Sequence, residues 1–307
     1  MRVLITGGTG LLGHALIATA DGKDRLSVLH LRDYTVPLIN GAEQFVVDIR
    51  ERPRLADFFA RSHFDVVIHA AGIANVDYVE CHPEEGWQSN VIGTQNVVDL
   101  VRKQDIKLVY ISSNAVFDGK SAPYRESDPT NPINRYGCIK VECEHIVKQG
   151  CPEATIVRPI LMYGWHAPEG RTNPATWIID RLRRGEQIHL VTDVYENPLW
   201  SYHCAVAIWR LIQLGKTGTW HIAGKDIVNR YEFGKLVAQA FGLDPSLLHP
   251  VKSSFFPTIA PRPCNTSFVT DRMQGELGVE PLSVLDGLAR MRAMAHSLNS
   301  SSRQPGR

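Results

Sequence analysis

The segment T-G-G-T-G-L-L-G, Thr6 to Gly13, constrains this chain more than any other. It follows the apolar run RVLI and leads into LLGHALIATA, so a glycine-rich turn joins a strand to a helix. Gly7, Gly10 and Gly13, spaced three apart, allow a tight turn, close approach of bare backbone to a ligand, and close packing of helix on strand. A helix starting there points amide hydrogens and the positive end of its dipole at whatever lies over the turn, which suits a pyrophosphate. The expected ligand is a dinucleotide, held by Gly7, Thr9, Gly10, Leu11, Leu12 and Gly13.

The rest of the first half repeats the pattern of that opening. LSVLHL, QFVVDI, DVVIHAA and KLVYISS are short apolar runs, separated by helix-like stretches such as PRLADFFARS and VVDLVRKQ. Such alternation predicts βαβ units around a parallel sheet buried on both faces. A polar connection, NAVFDGKSAPYRESDPTNPIN, then precedes a helix over about Arg135–Val147 and the strand ATIVRPI. Beyond Gly164, glycine, proline and aromatic residues break the rhythm, and ATWIIDRLRRG, YEFGKLVAQAFG and LSVLDGLARMRAMAHSL stand as isolated helices. The expected fold class is α/β, a Rossmann-type doubly wound parallel sheet with a smaller, irregular C-terminal substrate-binding lobe. Residues 1–160 form the dinucleotide-binding domain, with part of 187–225 returning to it. Residues 161–295 form mainly the lobe, and 296–307 a disordered tail.

A net charge of +1 with 21% charged residues gives no pull toward nucleic acid or anionic membranes. The opening MRVLITGG lacks the features of a secretory signal, and no apolar run is long enough for a membrane helix. Six cysteines without C-x-x-C spacing indicate neither a disulfide framework nor a zinc site, so the cytosol is the expected compartment. No metal site is expected either, because the twelve histidines include no H-E-x-x-H or comparable pair. His69, inside VIHAA, reads as a buried, hydrogen-bonded core residue.

Tyr136 and Lys140 stand four apart on the expected helix and so share one face. A cation beside a phenol favours its phenolate, the form a proton-transfer group must reach. The strand KLVYISS ends just upstream at the sheet's carboxyl edge, where Ser112 or Ser113 could hydrogen-bond a substrate carbonyl. Neighbouring strand residues point to opposite sides, so only one of the two faces the crevice.

Along nearly its whole length the chain resembles the extended short-chain dehydrogenase/reductases, within them the dTDP-4-dehydrorhamnose reductase-like branch. The matching stretches are TGGTGLLG, VIHAAGIANVDYVECHP with Asn90 in NVIGTQN, SSNAVFDGKSAPYRESDPTNPINRYGCIKVECE, VRPILMYG and PRPCNTSF. The resemblance implies a catalytic triad of Ser113, Tyr136 and Lys140, and a cofactor lined by Ala70, Ala71, Gly72 and Pro159. It also implies that Asn90 supports the active-site backbone, that Asp48, with Ile49, meets the adenine, and that Asn114, Ala115 and Arg262 contribute to the substrate pocket. The branch usually shows an aromatic where Ala115 stands, often Trp where Leu161 stands, and Asp-Gln-x-Gly-x-Pro-Thr where this chain reads DVYENPLW. Substrate identity therefore transfers less safely than chemistry.

The implied activity is reduction of a nucleotide-linked 4-keto-6-deoxysugar by a homodimer. An epimerase or dehydratase could use the same constellation. A regulatory subunit is the reading of a different class, since the beta subunit of methionine adenosyltransferase resembles this branch. NADP(H) is preferred over NAD(H) because Arg32 falls about twenty positions beyond the glycine turn, where an acidic residue would bind ribose hydroxyls. A guanidinium there suits a 2′-phosphate, although Asp33 is next in line.

Overall fold

The computed structural model describes residues 1–31, 41–166, 170–257 and 260–301, with 296–301 as backbone only. From the amino terminus the chain runs β1 (Arg2–Thr6), α1 (Leu11–Thr19), β2 (Arg25–His30), β3 (Glu43–Val46), α2 (Arg52–Ala60) and β4 (Val66–His69). It continues through α3 (Val76–Cys81), α4 (Pro83–Trp87), a π-helical turn (Gln88–Ile92), α5 (Gly93–Lys103), β5 (Lys107–Ile111), α6 (Arg135–Gly150) and β6 (Thr155–Pro159). Then come β7 (Met162–Tyr163), α7 (Pro174–Arg183), β8 (Ile188–Val191), β9 (Tyr195–Glu196), β10 (Leu199–Trp200), α8 (Ser201–Gln213) and β11 (Gly218–Ile222). The chain closes with β12 (Val228–Asn229), α9 (Arg230–Phe241), β13 (Leu248–Val251), α10 (Asp271–Leu277) and α11 (Val284–Ser301).

Seven strands form one parallel sheet in the order β11-β6-β5-β4-β1-β2-β3. The apolar runs are continuous because both faces are covered, and their side chains divide with the strand period of two. Val3, Ile5, Val66, Ile68, Val109 and Ile111 join one core cluster, with α1 and α8. Leu4, Val67, Leu108 and Tyr110 join the other, with α2, α5 and α6.

The strand order reverses between β1 and β4, which opens a crevice at their carboxyl ends. The elements after β6 overhang that edge. Parallel β8 and β13 pack with α9, which lies against α7 and α11. Capping boxes start α7 at Asn173 and Thr176, and α9 at Asn229 and Glu232. The backbone of α11 is helical through Ser301, so 296–301 do not form the coil expected from their polar composition. Among the described residues, no helix is long and apolar enough to cross a membrane.

Candidate active site

A cavity of about 630 Å³ opens over the carboxyl ends of β1, β4, β5 and β6. Its floor is the glycine turn. Gly7 has φ +74°, and a Cβ there would lie 2.8 Å from Ala71 Cα on the neighbouring strand's exit. A Cβ on Gly13 would come within 2.4 Å of Gly7 O, so only glycine lets α1 start this close to the turn. No side chain caps α1, whose N-cap is Gly10, and its dipole end is left to a ligand. These features leave bare backbone and an uncapped helix start facing the cavity, the chemistry that suits an anionic phosphate.

The β4 side of the cavity is braced from behind. The π-helical turn brings Asn90 under Gly72, where its Oδ1 accepts from Ile73 N (2.7 Å) and its Nδ2 donates to Ile73 O (3.0 Å). Gly72 has φ +149°, and a Cβ would meet Asn90 Oδ1 at 2.6 Å. His69 is fully buried with Thr6 Oγ1 and Thr94 Oγ1 on its two ring nitrogens at 2.7 and 3.0 Å. Burial, and then the Lys140 charge, push its pKa down to about 3, so the ring is neutral and acts as a spacer.

Opposite the glycine turn, Asn134 caps α6, its Oδ1 accepting from Gly137 N at 2.8 Å. Gly137 is pressed against the turn after β5, since a Cβ would lie 2.2 Å from Ala115 O. That contact holds the start of α6 against the turn after β5, and both Tyr136 and Ser113 line the cavity. The Lys140 ammonium lies 5.9 Å from the Tyr136 ring centre and donates to Ile111 O (2.9 Å) and Tyr110 OH (3.3 Å). Burial first, then the neighbouring Cys143, raises the Tyr110 phenol well above its ordinary pKa, so it stays protonated. Among the described residues no carboxylate pairs with Lys140, and its charge is left to the site.

The two serines separate by partner. Ser112 Oγ donates to Glu144 Oε1 at 2.6 Å, committed to a buried carboxylate. Ser113 Oγ accepts from Ala115 N at 3.1 Å and donates to Asn114 Oδ1 at 3.3 Å, a long bond that a substrate could replace. Glu144 in turn accepts from Arg158 Nε (2.8 Å) and Nη2 (2.7 Å). Burial pushes the Glu144 carboxyl up, but Arg158's hydrogen bonds and charge, with Ser112, more than offset it and leave the group below its ordinary value. His221, 3.4 Å from Arg158, is held neutral by burial and by that cation, its pKa down to about 3.

Gly7, Gly10, Leu11, Leu12, Gly13, Ala70, Gly72, Ser113, Asn114, Ala115, Tyr136, Lys140, Pro159 and Arg262 all line the one cavity. Thr9, Ala71 and Asn90 stand beside or behind its wall and do not line it. Nor do Asp48 and Ile49. The Asp48 carboxylate accepts from the backbone and side chain of Arg50, with Nη2 at 2.6 Å, and Ile49 packs beneath Gly93. Burial raises Asp48, but the Arg50 contacts outweigh it and hold the group below the usual carboxylate range. Arg32 and Asp33 lie outside the described residues. Arg262 reaches the cavity already paired, its Nη2 2.8 Å from Asp77 Oδ2.

Residue patterns did not point to Glu196, Arg230 and Thr266, which also line the cavity. Glu196 lies inside DVYENPLW, a stretch that stood out only as a departure from the branch.

Parallel strand order, glycine turn and the Ser113, Tyr136 and Lys140 wall define a Rossmann-type protein of the extended short-chain dehydrogenase/reductase class, a class of NAD(P)-dependent oxidoreductases. The family model described as the RmlD substrate binding domain matches residues 1–296, and the chain belongs to that family. It is 28% identical over 302 residues to the probable low-salt glycan biosynthesis reductase Agl14 of Haloferax volcanii, covering 95% of this chain and 98% of that protein. It is 30% identical over 288 residues to methionine adenosyltransferase 2 subunit beta of Bos taurus, covering 89% and 81%. The crystal structure of dTDP-4-dehydrorhamnose reductase from Bacillus anthracis in complex with NADP superposes with a TM-score of 0.84 at 26% identity, covering 95% and 99%.

Proposed function

We propose that this protein reduces the ketone of a nucleotide-linked 4-keto-6-deoxysugar with NADPH. The observation that carries the proposal is that Ser113, Tyr136 and Lys140 line the same cavity as the glycine turn. The Haloferax and Bacillus reductases, similar along almost the whole chain, support the same chemistry.

Gly7, Gly10, Gly13 and the start of α1 would hold the pyrophosphate, with Ala70, Gly72 and Pro159 against the nicotinamide half. When bound, the dinucleotide supplies the hydride that reduces the carbonyl carbon. Ser113 turns its hydroxyl from Asn114 to the carbonyl oxygen and stabilises the charge that gathers there. Tyr136 donates its proton to that oxygen. Lys140, fixed by Ile111 O and Tyr110 OH, keeps a positive charge beside the phenol and has donor capacity left for a ribose hydroxyl. Preference for NADPH over NADH rests on Arg32. The protein works in the cytosol as a homodimer in this reading, and molecular mass in solution tests the second part.

A panel of nucleotide-linked 4-keto sugars, scored for NADPH oxidation, tests the proposal. Tyr136→Phe lowers turnover by about 10²- to 10⁴-fold and leaves dinucleotide affinity intact. A variant that keeps more than about a tenth of the activity refutes Tyr136 as the acid. The bovine relative, a subunit of an adenosyltransferase, favours a second reading in which the cavity binds its dinucleotide for regulation. Absence of turnover across the panel, together with co-purification of a synthetase, would establish it.

A further inference from the structure

Asn114 directly follows Ser113, and its side chain is fully engaged. Its Nδ2 donates one hydrogen to Glu196 Oε1 (3.0 Å) and the other to Thr266 Oγ1 (2.7 Å), both on segments that follow β6. Glu196 is gripped by Arg230, whose Nη2 lies 2.8 Å from the second carboxylate oxygen, Oε2. The Glu196 side chain is 12% exposed and that of Arg230 29%, and both line the cavity. Backbone bonds from Tyr195 N to Cys264 O (2.7 Å) and from Thr266 N to Tyr195 O (3.1 Å) fix the two acceptors relative to each other.

The chemistry of the acceptors decides which way the amide faces. A carboxylate held by a guanidinium accepts hydrogen bonds and does not donate, so the amide nitrogen must face Glu196. The amide oxygen is thereby turned to Ser113 Oγ. Ser113 has one proton. Since it already accepts from Ala115 N, that proton goes to Asn114 Oδ1 at 3.3 Å until a better acceptor arrives. Were the amide flipped, its N–H would compete for the hydroxyl oxygen and the serine proton would have no fixed direction.

We propose that Glu196, held by Arg230, is a positioning residue that locks the Asn114 amide and so holds the Ser113 hydroxyl ready to donate to the substrate carbonyl. The proposal rests on the reductase reading for its catalytic consequence. It links the overhanging segments to the catalytic serine through side chains.

The test is a double-mutant cycle on Glu196→Ala and Asn114→Ala in the full chain. Each substitution lowers kcat about tenfold, the fold-change of one charge-assisted hydrogen bond. The double variant is no worse than the poorer single one, and NADPH affinity stays within about twofold. Glu196→Gln, which keeps an acceptor oxygen at the same reach, restores kcat to within about threefold of wild type. Multiplicative losses, or a Gln variant as poor as Ala, overturn the proposal.

A second readout needs no substrate. The Asn114 side-chain amide protons, assigned by their disappearance in Asn114→Asp, exchange slowly with water in the wild type and rapidly in Glu196→Ala. Unchanged exchange overturns the lock. If the wild type turns over no keto sugar, the reductase reading falls and amide exchange alone judges the lock. Should Glu196→Ala leave Arg230 too poorly compensated for folding, Glu196→Ala/Arg230→Ala carries both measurements.

Discussion

Arg158→Met isolates a buried ion pair under the catalytic wall. Arg158 and Glu144 are 2% and 1% exposed, and the two nitrogens of the guanidinium fork supply two of the carboxylate's short hydrogen bonds. The substitution leaves Glu144 with Ser112 and the more distant Lys148 at 3.5 Å. Removing one partner of such a pair costs about 3–5 kcal/mol, because a charge stays buried without compensation. With an unfolding entropy of about 2.1 cal/mol/K per residue, 307 residues give about 0.64 kcal/mol/K, so the melting temperature falls roughly 5–8 °C near neutral pH.

The pH dependence has a definite sign. In the wild type the Glu144 carboxyl sits below its ordinary value, so its stabilisation is present above the unfolded pKa of about 4.3 and is lost as pH falls through the lower folded value. In Arg158→Met the upward push of burial is no longer outweighed, and the folded value rises above the unfolded one. Protonation then relieves the variant as pH falls, while burial, the main cause of the low His221 pKa, persists without Arg158 and keeps that ring neutral. The gap in melting temperature between the two proteins therefore narrows from pH 8 to pH 5, as scanning calorimetry would record. A loss under about 2 °C at pH 7.5, or a gap that is constant or widens toward pH 5, refutes this account of the pair.

Two further substitutions address the dinucleotide. Lys140→Met lowers turnover and weakens dinucleotide binding together, read by titration against tryptophan fluorescence; a loss confined to rate removes the ribose contact from the mechanism. Arg32→Ala raises the apparent KM for NADPH about ten- to a hundredfold while leaving that for NADH nearly unchanged, since a paired contact to a 2′-phosphate is worth roughly 1.5–3 kcal/mol. Equal effects on both cofactors refute the phosphate contact.

The parts of this site legible in the sequence are those set by short spacing. Three glycines three apart and a Tyr–Lys pair one helical turn apart carry their geometry with them, whereas strand alternation does not separate Ser112 from Ser113, since both line the cavity. Their partners distinguish them, and these were not legible because Glu144 lies 32 positions from Ser112 and reaches it through a helix packed on the sheet. Arg158 sits inside the run ATIVRPI, which reads as uniformly buried strand, and nothing local announces that its charge is matched across the core. Asp48 is a local case. Its carboxylate is held by Arg50, two residues on, an ion pair that the family pattern placing an adenine there did not announce. Glu196 and Asn114 are 82 positions apart, beyond any periodicity.

The seventh strand has a consequence for how the protein can be made. β11 pairs with β6 from Gly218–Thr155 to Ile222–Pro159, so the strand carrying Arg158 and Pro159 has an open edge until residue 222 has been synthesised. A ribosome delivers the six-stranded remainder of the sheet about sixty residues earlier, and in that interval the edge is a template for other chains. A premature stop between residues 160 and 217 thus yields a sticky intermediate rather than a smaller oxidoreductase. A minimal version would have to keep β11, by excising the overhanging segments from within and rejoining the chain.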